Sequence, residues 1–323
     1  MSKEFEIIET IFTRSRRPAA SVVLGIGDDA ALTRCPEGCD LVTATDALVA
    51  GTHFLAEAPA ESVGHRSLAV NLSDIAAMAA EPLWASLAIS LPGADSAWLK
   101  AFAEGFFSLA DHFGIDLIGG DTVRGALSAV VTLQGCVPRG NAIRRSGARP
   151  GDHIFVTGFP GEAEAGRRLA TGELATDAGS VEAVSALVQK FQYPQPRVME
   201  ALALRGIASA MIDLSDGLHV DLERLLVASN AGARLDVDQV PASPHLGGLP
   251  DMPQFTEQVL VGGEDYELCF TVPADSLGAF HRAADLWGCP ATCLGQVSSE
   301  AGLQWFRDGD SYAVPDSGFE HFA

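Results

Sequence analysis

Aspartate recurs in short motifs rich in Gly, Ser and Thr along most of this chain, and these motifs constrain the fold more than any other feature. They are GIGDDA at 25–30, TATDALV at 43–49, NLSDIA at 71–76, GGDT at 119–122 and DLSDG at 213–217. Most of them follow an apolar run or open a helix, where an α/β fold gathers side chains into one cleft. Carboxylates gathered in this way repel one another unless a cation lies among them. The sequence therefore predicts a Mg²⁺ site that serves phosphoryl transfer.

Composition excludes several other classes of protein. The chain has 323 residues, with 42 acidic and 21 basic side chains and a net charge of −21. Nonspecific binding of nucleic acid requires many Lys and Arg, so no nucleic acid partner is expected. The start, MSKEFEIIETIF, has neither a basic leader nor an uninterrupted apolar region, and the longest apolar stretch is broken by Glu81, Pro82 and Pro92. We therefore expect a cytoplasmic protein with no membrane span.

Alternating apolar runs and helical periodicities predict a mixed α/β chain of two domains. The predicted strands are Val22–Ile26, Leu41–Thr45, Ser86–Leu91, Asp116–Ile118, Ser128–Val137, His153–Thr157, Ser209–Ile212, Arg234–Val237, Glu267–Val272 and Thr292–Val297. The predicted helices are Ser62–Ala80, Ser96–Phe113, Val181–Phe191, Arg197–Leu204, Gly217–Ser229 and Asp275–Trp287. A basic stretch rich in Gly and Pro at 139–151 predicts a linker between domains at 1–138 and 152–323.

The two common nucleotide-binding loops are absent. GIGDDA superficially matches the first turn of a Rossmann fold, but about ten residues separate it from the next strand, too few for a crossover helix. We therefore interpret it as a metal-binding turn, in which one of Asp28 and Asp29 is a ligand and the other stabilises the turn. The only lysines are Lys3, Lys100 and Lys190, and none follows a glycine, which excludes a P-loop.

Each of the other candidate residues could have a structural role instead of a functional one. Arg144 and Arg145 could bind phosphate or simply belong to a solvated linker. Ser215 and Asp216 could cap a helix or contribute to a phosphate site at its free N–H groups. Six cysteines without finger-spaced histidines are expected to be reduced and mostly buried rather than zinc ligands. His53 could contact an anionic substrate and Phe319 could stack on an aromatic ring. Taken alone, each residue is more often structural.

In order and spacing, eight segments together resemble the thiamine-monophosphate kinase family. They are GIGDDAAL, TDALVAGTHF, AVNLSDIAAMAAEP, LIGGDT, RSGARPGD, VTGFPGE, DLSDGLHVDL and GGEDYELCFT, with a further match at GFEHF near the end. The resemblance implies a two-domain fold like that of aminoimidazole ribonucleotide synthetase, without a P-loop or a Rossmann domain. It also implies that N-terminal domains pair in a homodimer and that the C-terminal domain completes the active site, which binds ATP with several Mg²⁺ ions.

The same resemblance assigns roles to individual positions. The implied metal ligands are Asp29, Thr45, Asp46, Asp74, Asp121, Asp213 and Asp216. The implied ATP contacts are Gly120, Asp121, Arg145 and Ser215, and the implied substrate contacts are His53, Glu264 and Phe319. Ala44 stands where the family often has a hydroxyl, so only its backbone carbonyl could be a ligand.

The implied reaction is direct in-line transfer of the γ-phosphoryl group of ATP to thiamine monophosphate, with metal ions and electrostatics in place of a catalytic base. One alternative is another ATP-dependent enzyme of the same group, such as selenophosphate synthetase. That enzyme would call for a reactive Cys in a glycine-rich N-terminal segment, and here the first cysteine, Cys35, follows the GIGDD turn. A second alternative is a noncatalytic protein that binds divalent cations, which would not explain Arg145 or GGDT.

Overall fold

The computed structural model describes residues 7–14, 18–175, 180–246 and 259–314. The chain divides into two compact units. The N-terminal unit comprises residues 1–75 and 80–140, and the C-terminal unit comprises 76–79 and 141–323. The predicted linker therefore falls almost wholly within the C-terminal unit, where Ile143 and Ala148 are buried and the Arg144 carbonyl accepts the N–H of Met211 at 3.0 Å.

The N-terminal unit is built on a four-stranded sheet with two long helices. Its elements are β1 (Val22–Leu24), β2 (Leu32–Thr33), β3 (Cys39–Val49), α1 (Ala60–Ala77), β4 (Glu81–Leu91), α2 (Ser96–Phe113), β5 (Asp116–Arg124) and β6 (Ser128–Pro138). The sheet order is β3-β6-β4-β5, and only β4 and β5 are parallel neighbours. Burial alternates along β6, as expected for a sheet with one covered face. Ile75 of α1 lies against Gly135 on that face.

The C-terminal unit contains a seven-stranded sheet in the order β13-β12-β9-β11-β7-β10-β8. Its strands are β7 (His153–Thr157), β8 (Ala210–Asp213), β9 (Gly232–Asp236), β10 (Leu268–Val272), β11 (Ala291–Ser298), β12 (Gly302–Arg307) and β13 (Asp310–Tyr312). Its α-helices are α3 (Glu162–Thr171), α4 (Val181–Gln192), α5 (Val198–Ala203), α6 (Leu218–Ala228) and α7 (Leu277–Ala284). Buried Leu222 and Leu225 of α6 belong to the same core cluster as Ile154 and Val156 of β7.

Several predicted strands are longer in the structure, and two of these extensions change where the acidic residues lie. The predicted Leu41–Thr45 extends to Cys39–Val49, and Asp116–Ile118 extends to Arg124. The reason is continuous pairing, since β3 pairs with β6 from Cys39 to Val49 and β4 pairs with β5 as far as Arg124. Asp46 and Asp121 therefore lie within strands, not after strand ends as the motifs predict.

Helix α2 has the predicted bounds, and capping residues mark both of its ends. Helix α2 spans Ser96–Phe113 as predicted, beginning after Asp95, whose carboxylate accepts the N–H groups of Ala97 and Trp98. It ends at Gly114, which has a φ of 70°, as helix ends commonly do. None of the helices in the described ranges is long and apolar enough to cross a membrane.

Candidate functional site

The N-terminal unit contains a cleft of about 890 Å³. Its polar wall includes Asp28, Asp29, Gly120 and Asp121, and its apolar wall includes Ile8, Phe12, Ile26, Leu117 and Ile118. The structure thus brings three predicted site residues, Asp29, Gly120 and Asp121, to one cavity. A cavity lined by both carboxylates and apolar side chains can accommodate a ligand with a charged end and a flat, apolar end.

Two carboxylates of this cleft accept the backbone N–H of the residue that follows them. The Asp28 carboxylate accepts the backbone N–H of Asp29 at 2.8 Å, which fits the interpretation that Asp28 stabilises the turn. Asp121 in turn accepts the N–H of Thr122 at 2.8 Å. The preceding residue, Gly120, has a φ of 149°, and a Cβ there would lie 1.8 Å from the Leu87 carbonyl oxygen. Only glycine fits this close approach of β5 to β4.

A second acidic group lies around β3 and α1. The carboxyl groups of Asp46 and Asp74 are hydrogen-bonded to each other. Burial raises the pKa of Asp46, while the contact with Asp74 and the nearby His53 lower it. His53 is oriented by its own strand, because its Nδ1 accepts the N–H of Val49 at 3.0 Å. The structure therefore brings together three predicted residues, two carboxyl groups whose hydrogen bond requires that one of them is protonated, and one imidazole.

The Thr45 hydroxyl is not part of this group. Successive side chains of a strand point to opposite faces, so the Thr45 side chain points away from the face that carries Asp46. Its hydroxyl instead bonds to the hydroxyl of Thr132 on β6 at 2.9 Å. Of Thr45, only the backbone carbonyl remains available to a cation bound by Asp46.

The register of the sheet separates the two acidic groups. Asp46 on β3 pairs with Val131 on β6, Val131 pairs with Leu87 on β4, and Leu87 pairs with Gly120 on β5. Asp46 and Asp121 therefore lie at nearly the same level on opposite edge strands, three inter-strand steps or roughly 14 Å apart. A single cation cannot bind both carboxylates of one chain. Throughout the described ranges, no three His, Cys, Asp or Glu side chains form a group that could hold a metal ion.

The predicted segment Asp213–Gly217 in the C-terminal unit joins β8 to α6. Asp213 is buried at the end of β8. The helix N-cap is Gly217, which has no side-chain cap, so Ser215 and Asp216 do not cap the helix. Instead one oxygen of the buried Asp221 carboxylate, Oδ2, accepts the N–H groups of residues 215, 216 and 217 at 3.0, 2.9 and 3.2 Å. The N–H groups of these three residues, which precede the first turn of α6, are therefore not free for phosphate.

Arg224 partly compensates the negative charge around this segment. The pKa of Asp221 is raised to about 6, chiefly by burial and also by nearby Asp216 and Asp213, while the backbone N–H of Asp216 and the charge of Arg224 act to lower it. Arg224 forms ion pairs with both Asp216 and Asp221. Sequence reasoning missed Asp221 and Arg224; their spacing on α6, at three residues, was the available signal.

Glu264, a predicted substrate contact, lies in a strained segment next to this one. Glu264 and Tyr266 have φ values of 73° and 51°, a left-handed conformation that costs energy in residues other than glycine. Their N–H groups donate to the carbonyls of Ser215 and Leu214, both at 2.8 Å. The Tyr266 hydroxyl donates to Glu264 Oε2 at 3.0 Å. The predicted ATP and substrate segments of this unit are thus joined backbone to backbone.

Buried polar contacts hold the Glu264 segment from its other side. Asp265 accepts the N–H groups of Gly161 at 2.7 Å and Ala163 at 3.2 Å. Glu267 forms a two-point ion pair with Arg197, at 2.7 Å to Nε and 2.5 Å to Nη2. Neither contact was predicted, because nothing in the local sequence relates these distant segments.

Arg145 is exposed, and its loop is fixed to the end of α6. The Ser229 hydroxyl donates to the Arg145 carbonyl at 3.1 Å and accepts the N–H groups of Gly147 and Ala148, both at 3.2 Å. The guanidinium is therefore carried on an anchored loop rather than on a free linker. Phe319 lies outside the described residues. None of the six cysteines forms a disulfide, and of these Cys136 and Cys269 are buried, fewer than predicted.

Both parts of the chain match a known family. Residues 27–137 match the N-terminal domain of AIR synthase related proteins, and residues 149–306 match the C-terminal domain. The thiamine-monophosphate kinase of Salmonella typhimurium is 46% identical over 99% of this chain and 98% of its own length. That of Bacillus subtilis is 34% identical over 99% of both chains.

Solved structures agree with these relatives. A thiamine-monophosphate kinase from Stenotrophomonas maltophilia has a TM-score of 0.84 and 41% identity, covering 95% of this chain and 96% of its own. A structure of AaThiL complexed with AMPPCP and TMP has a TM-score of 0.76 and 28% identity, covering 98% and 95%. Both the fold and the predicted family are thereby confirmed.

Proposed function

This chain belongs to the thiamine-monophosphate kinase family, and from that membership we propose that it transfers the γ-phosphoryl group of ATP in line, with Mg²⁺, to the phosphate of thiamine monophosphate. The products are thiamine diphosphate and ADP. The observation that carries the proposal is that the chain matches these kinases over nearly its whole length, while its acidic residues line a cleft suited to a nucleotide. Because the reaction consumes ATP, we propose that the protein acts in the cytoplasm.

The acceptor requires no general base, because a phosphate monoester oxygen is already anionic near neutral pH. The main obstacle is the approach of two polyanions, so catalysis depends on alignment and on compensation of charge. In the N-terminal unit, Gly120 and Asp121 would contact ATP. In the C-terminal unit, Ser215 and Arg145 would contact the nucleotide and Glu264 the acceptor.

The donor set fits Mg²⁺. Asp46 and Asp74 share a hydrogen bond, and the pKa of Asp46 is raised by burial, so a cation bound by this pair would replace the proton that the two groups share. All of the predicted ligands offer oxygen, which Mg²⁺ prefers, and it commonly takes one or two carboxylates while substrate phosphates and water complete its shell. When bound, Mg²⁺ would neutralise phosphate charge as it develops. Asp29, Asp46, Asp74, Asp121, Asp213 and Asp216 would hold such ions in groups rather than as one cluster.

The test is product formation with each component omitted in turn. We expect thiamine diphosphate only when ATP, Mg²⁺ and thiamine monophosphate are all present. Free thiamine should be a poor acceptor because it lacks the nucleophilic phosphate oxygen. Equal turnover of free thiamine would refute the assignment, and ATP-dependent turnover of selenide would favour the selenophosphate synthetase alternative. Binding of Mg²⁺ without any turnover would favour a noncatalytic protein.

We further propose a homodimer formed through the N-terminal unit, supported by the separation of Asp46 from Asp121. The two carboxylates lie on opposite edges of one sheet, and because Asp46 is level with Gly120, the side chains of Asp46 and Asp121 point to opposite faces. One chain cannot bring both carboxylates to a single cation, whereas two copies could each supply one. Both edge strands expose apolar side chains, Leu41 and Val49 on β3 and Val123 on β5. Unpaired edges of this kind are normally covered by another element or another copy.

Complementation tests the shared site directly. Asp46→Asn and Asp121→Asn should each be nearly inactive as pure proteins. If the two carboxylates of one site come from different copies, a mixed dimer has one intact site, and equal co-expression should restore about a quarter of wild-type activity. No recovery would place both carboxylates of a site in one chain. A scattering mass of 33.8 kDa, that of the monomer, at micromolar concentration would refute the dimer.

Phe319 remains the proposed stacking partner for the thiamine rings. A cationic thiazolium and a flat pyrimidine both favour an aromatic face, by about 0.5–2 kcal/mol. Phe319→Ala should raise KM for thiamine monophosphate by about threefold to thirtyfold and leave that for ATP nearly unchanged. A lower Tm with unaltered KM values would instead identify Phe319 as core packing.

A further inference from the structure

The carboxylate of Asp221 on α6 binds backbone N–H groups of the residues that precede this helix. Its side chain is 1% exposed. Oδ2 accepts the N–H groups of three consecutive residues, Ser215, Asp216 and Gly217, at 2.9–3.2 Å. Oδ1 accepts a hydrogen bond from Arg224 Nη1 at 2.8 Å. Three successive N–H groups that converge on one point form a concave anion site, and here the chain itself supplies the anion.

This arrangement determines how the segment presents its side chains. With the three N–H groups directed at Asp221, the backbone of residues 215–217 is fixed, and the side chains of Ser215 and Asp216 remain partly exposed. Gly217 completes the turn with a φ of 123°, at a place where a Cβ would lie 2.8 Å from the carbonyl carbon of Val261. Asp216 is additionally held by Arg224.

We propose that Asp221 is a positioning residue for the nucleotide: it holds Ser215 and Asp216 in the conformation that receives ATP and its metal ion before either binds. The proposal rests on the proposed function, which assigns those two residues to ATP and metal. Asp221 does not touch substrate. Its contribution is to remove the entropy cost of ordering the segment during binding.

The experiment compares Asp221→Ala, Asp221→Asn and a matched control, Glu223→Ala, which removes an exposed carboxylate from the same helix. The first readout is amide hydrogen exchange of residues 214–218 in the ligand-free protein. We expect exchange at 215–217 to accelerate at least about tenfold in Asp221→Ala, since the acceptor of all three N–H groups is gone. Asp221→Asn keeps one acceptor oxygen and should lie between the wild type and Asp221→Ala.

The second readout separates positioning from general stability. KM for ATP should rise by about tenfold in Asp221→Ala and less in Asp221→Asn. KM for thiamine monophosphate should rise clearly less, because Glu264 is joined to Ser215 only through one backbone hydrogen bond. Glu223→Ala should match wild type in both readouts. Unchanged exchange at 215–217, or an equal rise in both KM values, would overturn the proposal.

Two further outcomes are also decisive. If Asp221→Ala does not fold, hydrogen exchange at 215–217 and the two KM values of Asp221→Asn test the proposal instead. If the wild type forms no thiamine diphosphate, the proposed function fails, and nucleotide affinity measured by calorimetry with ATP and Mg²⁺ replaces KM. A weakening of that affinity by about tenfold in Asp221→Ala would still support the positioning role, and an unchanged affinity would overturn it.

Discussion

The burial of the ion pair between Arg197 and Glu267 predicts how much folding stability is lost when one member is removed. Their side chains are 11% and 5% exposed, and Glu267 Oε2 also accepts the hydroxyl of Thr157 at 2.6 Å. Removing one member of a buried pair typically costs about 3–5 kcal/mol, because the other charge is left without a partner. Arg197→Met should therefore destabilise the C-terminal unit by that amount and lower its Tm by about 6–20 °C.

The chain provides a matched control in Arg167 and Glu164. This pair has the same two-point geometry, at 2.8 and 3.0 Å, but the side chains are 33% and 19% exposed. Arg167 also forms a two-point pair with Glu173, at 2.8 and 3.0 Å, whose side chain is 48% exposed. Solvent screens both pairs, so Arg167→Met should cost only about 0.4–2 kcal/mol, at about 0.2–1 kcal/mol for each pair. The double variant Arg197→Met/Glu267→Gln should recover at least about half of the loss, because it leaves no unpaired charge.

Differential scanning calorimetry is the appropriate assay, since a chain with two units can unfold in two transitions. Each variant is compared with wild type at one pH and one salt concentration. The reasoning is refuted if Arg197→Met and Arg167→Met lower Tm equally. It is also refuted if the double variant is less stable than Arg197→Met alone, because that result would locate the effect in packing rather than in the unpaired charge.

Three further predictions concern the site. Asp46→Asn and Asp121→Asn should each reduce turnover at least about a hundredfold, since amides bind Mg²⁺ far less strongly than carboxylates; near-normal rates in steady-state assays would exclude these two carboxylates as metal ligands. Tyr266→Phe removes the hydrogen bond to Glu264 and should raise KM for thiamine monophosphate about threefold to tenfold without changing that for ATP. Burial raises the pKa of Asp265 from 3.8 to about 8, so the folded protein keeps a proton that the unfolded chain releases. The stability that Asp265 contributes is therefore complete below pH about 4 and is lost as pH rises to about 8; Asp265→Asn should flatten this part of a melting profile across pH, and a parallel profile would contradict the shift.

Local signals in the sequence identified most elements but not their extent. Helix α2 was predicted with the correct bounds from its apolar spacing, and in the structure Asp95 and Gly114 mark its ends. Strand β5 was cut short at Ile118, because two glycines follow and glycine is rare inside strands. Here the glycines allow β5 to approach β4 closely and continue to Arg124. Helix α3 was missed because its apolar residues are few and small.

The candidate site was predicted as a set of residue types but not as an arrangement. The motifs correctly identified carboxylates near a cleft, since Asp29 and Asp121 line one cavity. They did not show that Asp46 lies across the sheet, because strand order depends on pairing between distant segments. Nor did the motifs show that the Asp221 carboxylate accepts hydrogen bonds from the N–H groups of the residues that precede α6. Such a contact depends on the path of the backbone, which the residue types do not specify.

The backbone bonds between the Ser215 and Glu264 segments also bear on how this enzyme can change over evolutionary time. Because Leu214 and Ser215 accept the N–H groups of Tyr266 and Glu264, an inserted or deleted residue in either segment would shift both at once. Length is therefore constrained in these two stretches, whereas side chains that project from them remain free to vary. New acceptor preferences should arise here by substitution, and changes in chain length should accumulate in connections that share no such bonds.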